Sequence, residues 1–272
     1  EYEVFWRADG FNVESQVLNL LNENLRQDIF LFSKDKIELA DVVAEARLQN
    51  KVSESQMGLE KVKISTLNKL PVLLGERDVI KTIKFLPGMK SSGAGGSGLS
   101  VRGGSSDQNM ITLDEAVVYN TDHLLGFFST FNSDAIKDVS IYKGTAPAEY
   151  GGRVSSFVDL RMKEGNNKEF ETSGGIGLIF SRLNIEGPIQ KDKSSFLVSG
   201  RRSYADLFLK LTDDFKDNKL YFYDLNAKLN YKLSDKDQIF LSGYYGRDVL
   251  GMGDNFGINW GNLTQSLRYN RI

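Results

Sequence analysis

The 272-residue sequence contains no cysteine and a single histidine, His123. Without cysteine there is no disulfide framework, and one imidazole is too few strong ligands for a structural zinc site. An excess of one charge is also missing, since 34 Lys and Arg stand against 36 Asp and Glu, for a net charge of -2. A general polyanion binder needs a basic excess, so nucleic acid is not an expected partner. Only four prolines occur beside 26 glycines and 11% aromatics, a balance that favours β-rich architecture over a helical bundle. No apolar run approaches the ~18 residues of a membrane helix. That absence removes helical spanning alone, because barrel strands need only ~9–11 alternating residues and leave hydropathy profiles quiet. Glu1-Tyr2-Glu3 lacks the basic start and apolar run of a signal peptide, so either a mature chain begins here or its ends have been trimmed.

What is present is organised around residues 99–150. Residues 110–118 alternate and are entered through the turn Arg102-Gly103-Gly104. A short strand over 139–142 runs into the small residues 144–148, then Tyr150-Gly151-Gly152 and a last strand over 155–161. Short strands with glycines at each reversal describe a compact mixed domain. Ahead of it, Val79, Ile80, Ile83 and Leu86 follow helical spacing until Pro87-Gly88 stops the run, which reads as a core-facing amphipathic helix.

Gly93-Ala94-Gly95-Gly96-Ser97-Gly98 spells G-x-G-x-x-G. The dinucleotide fingerprint needs a helix opening from that loop, whereas here Leu99-Ser100-Val101 continues as strand and no Lys-Ser/Thr follows to make a P-loop. A flexible loop is the better reading. His123 sits in a turn and reads as a solvated side chain; no Ser/His/Asp constellation assembles around it. The neighbouring Leu124, Leu125, Phe127 and Phe128 suit either core or an exposed tip. No carboxylate pair has a spacing that argues for catalysis, so the chain is not expected to be an enzyme, and no cofactor or metal is called for.

Beyond residue 167 long strands alternate with tight polar turns. In 221–233, Tyr221, Tyr223, Leu225, Ala227, Leu229, Tyr231 and Leu233 share one face, while Asp224, Asn226, Lys228, Asn230 and Lys232 share the other, with Phe222 the exception. This period of two suits a membrane barrel with a polar lumen, or equally a soluble sandwich strand with one wet face. Strands are also expected over 176–186, 195–203, 239–247 and 260–271, with turns at 187–193 and 234–237, a longer mixed connection at 204–219 and an outer loop at 251–257. Five strands do not close a barrel, which implies a fragment of a longer protein.

Several short stretches in order resemble the plug domain of TonB-dependent outer-membrane transporters: Leu70-Pro71, Leu86-Pro87-Gly88, Ser100-Val101-Arg102-Gly103-Gly104, Leu113-Asp114-Glu115, Ile141-Tyr142-Lys143-Gly144 and Glu149-Tyr150-Gly151. One departure is Asp114-Glu115, where many members have Asp-Gly. The resemblance implies a mixed α/β plug inside an antiparallel transmembrane β-barrel, of which the first five of about 22 strands are present. It divides the chain into 1–38, the tail of a carboxypeptidase-regulatory-like β module with strands at 29–32 and 36–39; 39–61, TonB box and linker; 62–166, plug; and 167–272, barrel strands. Residues 17–21 suit strand or helix.

On its own, 39–46 suits a plain linker or a strand added to another protein's sheet edge. The resemblance makes Leu39, Asp41, Val42, Val43 and Ala44 the TonB-binding segment. It makes Ser92, Gly93, Ala94, Gly95, Gly96 and Ser97, with Asn120, Asp122, His123, Leu124, Leu125 and Phe127, the substrate-binding plug apices. Arg102, Gly103 and Gly104 become the plug–barrel anchor. The partners implied are TonB with its inner-membrane energising complex, the lipid bilayer and a nutrient of siderophore, cobalamin, glycan or peptide class. A surface lipoprotein is left open, although the wording typical of SusC-type plugs is absent. The implied location is the outer membrane of a Gram-negative bacterium. A passive or adhesive outer-membrane barrel and a soluble β-rich carbohydrate-binding protein are the alternatives.

Overall fold

The structure, a computed structural model, describes residues 2–6, 14–18, 58–63, 78–91, 98–144, 146, 148–253 and 256–271. The chain divides into residues 1–56 and 57–272. In the first unit, β1 (Tyr2–Trp6) and β2 (Glu14–Leu18) pair antiparallel, so the segment entering residue 17 is strand rather than helix. The strands expected at 29–32 and 36–39 and the segment 39–56 lie outside the described residues.

The second unit begins with a globule around a five-stranded sheet. Its members are β3 (Leu59–Lys63), β6 (Asn109–Leu113), β7 (Ala116–Val117), β10 (Ile136–Lys143) and β11 (Ser156–Met162), in the order β3-β10-β11-β6-β7. Both faces of the two central strands are covered, and Val139, Ile141, Val158 and Leu160 are fully buried. Burying such a side chain contributes about 1.5–3 kcal/mol each. Against this sheet packs α1 (Val79–Ile83), shorter than its periodicity suggests, burying Val79, Ile80 and Ile83. Asp78 caps it by accepting from the Lys81 amide at 2.9 Å, which satisfies one of the orphan donors of the first turn.

The hairpin β4 (Met89–Ser91) and β5 (Leu99–Val101) brackets the glycine-rich segment. A strand precedes it and a strand follows it, so no helix N-terminus is available to a pyrophosphate. Arg102 and Gly103 then take positive φ (48° and 85°), and the Gly104 amide donates back to the Val101 carbonyl at 2.9 Å. A Cβ on Gly104 would stand 2.3 Å from the Ser155 hydroxyl, so glycine is required there by close approach.

Residues 171–271 form one antiparallel sheet of six strands in sequential order. They are β12 (Glu171–Ile176), β13 (Phe180–Gln190), β14 (Ser194–Ser203), β15 (Lys219–Lys232), β16 (Asp237–Met252) and β17 (Phe256–Arg271). Six rather than five strands arise because 176–186, read as one strand, is the junction of a hairpin whose turn is 177–179. Two further boundaries move: β13 continues through Pro188 to Gln190, and β16 and β17 extend into the expected outer loop, to Met252 and from Phe256. The connection 204–218 holds a short helix, α2 (Ala205–Leu209).

Register explains the two faces of this wall. Outward rows run Leu183–Gly200–Leu225–Tyr245–Leu263 and Gly187–Phe196–Leu229–Leu241–Leu267, and the leucines in them are roughly half exposed or more. Inward, Asp224, Asn226, Lys228 and Asn230 are buried against the globule, as are Ser199, Arg201 and Asp248. The polar side therefore faces the globule while the apolar side meets the surroundings. A soluble sandwich has the opposite arrangement, with its apolar faces packed together.

Tyrosines bound the apolar band: Tyr221, Tyr223 and Tyr245 towards one end, Tyr231 and Tyr269 towards the other. The eight steps from Tyr223 to Tyr231 span about 27 Å along the strand, or roughly 21 Å along the normal at a ~40° tilt, near the ~25 Å hydrophobic band of such barrels. Lysine at the central outward position Ala227 is expected to cost about 2–4 kcal/mol, against little for serine there. The folded fraction of the full-length protein, read by its heat-modifiable gel mobility, checks this.

Candidate functional site

The globule is held in the wall by polar contacts to five consecutive strands. From β13, Arg182 pairs with Asp134 at 3.2 Å. From β14, the Ser199 hydroxyl accepts from Asn132 at 2.8 Å, and Arg201 donates to the Ser129 carbonyl at 2.7 Å. From β15, Lys228 reaches Asp114 at 2.8 Å and the Met162 carbonyl at 3.1 Å. The wall's Leu197 and Tyr244 join the globule's apolar core.

The corner Asp114–Glu115 is central to this docking. Both residues have positive φ (47° and 73°) between the paired Leu113 and Ala116, a two-residue reversal of the type that favours Asp-Gly. The backbone geometry common in Asp-Gly turns is therefore kept with glutamate in glycine's place, at a cost of about 1–2 kcal/mol. The Glu115 side chain is occupied in return. It accepts from Arg161 at 2.8 Å and from Arg268 of β17 at 3.4 Å. Partial burial pushes its pKa up, but these two guanidiniums hold it below the usual carboxylate value. Arg161 also grips Asp159 at 2.6 Å, whose own pKa is raised, chiefly by burial. A chain of charges thus runs from the centre of the sheet to the wall.

At the other end of the wall lies a second cluster. His123, on the short strand β8 (Asp122–His123), is 1% exposed. Its Nδ1 is 2.8 Å from Asp248 and its Nε2 3.2 Å from Asp224, and its ring stacks on Phe222 with centroids 4.2 Å apart. Asp248 also accepts from the Leu124 amide at 2.8 Å, and Asp224 accepts from Arg201 at 2.6 Å. The reading of His123 as a solvated turn residue is thereby corrected: two wall carboxylates draw it inside. Phe222, which broke the alternation of its strand, is the platform beneath it.

The other sequence candidates separate. Leu124 and Phe128 are buried with Phe180 and Phe222, whereas Leu125 and Phe127 are 72% and 66% exposed. Asn120 is half-buried and exchanges hydrogen bonds with Asn262 of β17, its amide donating at 3.2 Å. Arg102 and Gly103 are exposed, and the Arg102 guanidinium lies over Gly144, within the globule. Among the described residues the ion pairs to the wall come instead from Asp114, Glu115, His123 and Asp134, none of which the sequence singled out as anchors. An open pocket of about 500 Å³ lies beside these segments, lined by Gly98, Asp107, Tyr119, Asn120, Asp122 and Arg153 among others. Leu39, Asp41, Val42, Val43 and Ala44, and Ser92 to Ser97, fall outside the described residues. No group of three or more metal-ligating side chains converges among the described residues.

Residues 66–156 match a family model described as the TonB-dependent Receptor Plug Domain. This stretch is a plug domain of the TonB-dependent receptor type. The plug and the wall strands after it also match solved structures. A mutant of the ferric enterobactin receptor PfeA from Pseudomonas aeruginosa is 14% identical with a TM-score of 0.57, over 84% of this chain and 40% of that one. The siderophore receptor PirA from Acinetobacter baumannii is 19% identical with a TM-score of 0.52, over 74% and 32%. The copper transporter OprC is 13% identical with a TM-score of 0.57, over 80% and 35%. The chain thus spans well under half the length of these proteins. No curated protein sequence matches it. At such identities the neighbours speak for the fold, which is a plug with the first strands of its barrel.

The buried pair Asp114–Lys228 gives a direct test of plug docking. Lys228→Met alone strands a carboxylate at the plug–barrel interface and is expected to loosen the plug by about 3–5 kcal/mol. Adding Asp114→Asn, which keeps an acceptor for the Met162 amide, should recover most of that loss. Hydrogen exchange at the Met162 amide in the full-length protein measures both.

Proposed function

We propose that the complete protein is a TonB-dependent active transporter that imports a scarce nutrient across the outer membrane of a Gram-negative bacterium. Substrate binds at the plug apices, residues 92–97 and 120–127. It frees the 39–46 segment for TonB, which adds a strand to it and pulls. The outer membrane has no ATP, so the work has to arrive through that strand, from TonB and its inner-membrane energising complex.

The observation that carries this reading is the pocket shared by Gly98 and by Asn120 and Asp122, because it joins the flanks of both apical segments. Asn120 is hydrogen-bonded to the half of β17 nearer the 204–218 connection. The opposite end of the wall has the tight turns 191–193 and 234–236. The only long connection of the six-stranded wall, 204–218, is at the pocket's end, beside the short connections 177–179 and 253–255. Long loops in such barrels lie outside, so the pocket is taken to open to the exterior. Its lining mixes Asp107, Asp122 and Arg153 with amide and apolar groups, suited to a polar cargo rather than a lipid. Since the neighbours named above are siderophore receptors and a copper transporter, a metal or metal-chelate heads the nutrient classes to be tried. Residues 1–38 are then an accessory β module ahead of the TonB box.

Deleting 39–46 from the full-length receptor should leave ligand binding intact and abolish uptake. Uptake that survives the deletion would make the barrel a passive one with the plug as a stopper.

A further inference from the structure

We propose that His123 is a proton-operated latch: its imidazolium, clamped between Asp224 and Asp248 on two adjacent barrel strands, holds the 120–129 apex of the plug against the wall, and loss of that proton opens the apex. The inference stands on the plug–wall interface and does not depend on the transport reading.

Geometry favours the protonated ring. Nδ1 is hydrogen-bonded to Asp248 at 2.8 Å and Nε2 stands 3.2 Å from Asp224, so a proton on each nitrogen meets a carboxylate, which only accepts, and the doubly protonated cation is the form this clamp suits. The two carboxylates are fully buried, and the charges balance within the cluster: His123 and Arg201 against Asp224 and Asp248. Removing the proton leaves one buried negative charge without a partner. The other polar or charged groups facing the cluster do not replace it. The Tyr244 hydroxyl of β16 lies 3.4 Å from Nε2, Arg201 of β14 is already bound to Asp224, and Lys81 of α1 donates to the Phe127 carbonyl. Asp122, on the same strand as His123, is a further negative charge. Burial by itself would lower the pKa of His123; the hydrogen bonds and charges of Asp224 and Asp248 overcome it and raise the value to about 9.

The backbone beside the latch is loaded. Leu124 and Leu125 both have positive φ (49° and 57°), a conformation that successive leucines do not choose unaided. What keeps Leu124 there is the bond from its amide to Asp248 and the burial of its side chain with Phe128, Phe180 and Phe222. The clamp on His123 uses the same carboxylate. When the imidazole goes neutral, the clamp and its support for the strained pair weaken together, and the exposed Leu125 and Phe127 move with the segment.

The sign follows from the direction of the shift. The pKa is higher latched than open, so the latch is at full strength below about pH 6.5 and is lost as pH rises through about 9. Hydrogen exchange of residues 120–129 in the full-length receptor in detergent, corrected for intrinsic exchange, tests it between pH 6 and 10. Protection should fall about tenfold per pH unit between roughly 6.5 and 9 and level off above, as release of one proton requires, while the central strand Ile136–Lys143 stays constant. Asp248→Asn, which keeps an acceptor for the Leu124 amide, should lower the upper limit of that window. His123→Gln should leave the apex open at every pH. Protection that stays flat in the unmutated receptor, or a window that ignores Asp248→Asn, overturns the latch. Should His123→Gln not fold, the other two titrations still decide.

Discussion

Each strand of the wall has to serve two unlike surroundings with one backbone. Successive side chains point to opposite faces, so a single register decides whether Asp224 and Lys228 look at the plug or at hydrocarbon. The residues that would be most penalised outside are the ones that bind the plug inside. Strand register and plug docking are therefore one decision: a sheet that forms correctly presents Arg182, Ser199, Arg201, Asp224, Lys228 and Asp248 together, and one that slips presents none of them.

The interface that results is polar and largely buried. Buried ion pairs gain little net stability because desolvation offsets much of their attraction, but separating them is expensive. Such an interface discriminates between correct and incorrect seating more than it strengthens the correct one. The plug core, with Ile80, Ile83, Val139, Ile141 and Leu160 at its centre, supplies the cohesion of the globule. The charges at its rim set where in the barrel it sits. The covalent tie follows the same logic. Gly165, with φ 81°, brings the linker so close to the wall that a Cβ would stand 2.4 Å from the Phe196 carbonyl, while Asn230 and Ser195 take the linker carbonyls.

Much of this was legible in the residues, for identifiable reasons. The alternation of 221–233 is long and unbroken but for Phe222, so its two faces could be assigned before any coordinates. By contrast, Gly174-Gly175 and the apolar turn around Leu178 carry neither alternation nor a polar turn signal, so the pattern does not separate β12 from β13. The surroundings of His123 had no local signature, since its partners lie 101 and 125 residues away along the chain. The one hint was an aromatic ring on the polar side of β15. Asp114-Glu115 stood out as a departure from Asp-Gly, yet only the coordinates reveal that Arg161 and Arg268 occupy the glutamate.

That corner also bears on the order of assembly. A free plug would keep Arg161 as partner for Glu115, but Arg268 would be absent, and a glutamate would sit in a mirror-image backbone well with half its support. Glycine there would make the isolated globule self-sufficient. Glutamate makes it incomplete until the sixth strand arrives, so that the seating of that strand beside the plug is reported, atom to atom, at the tip of a two-residue turn.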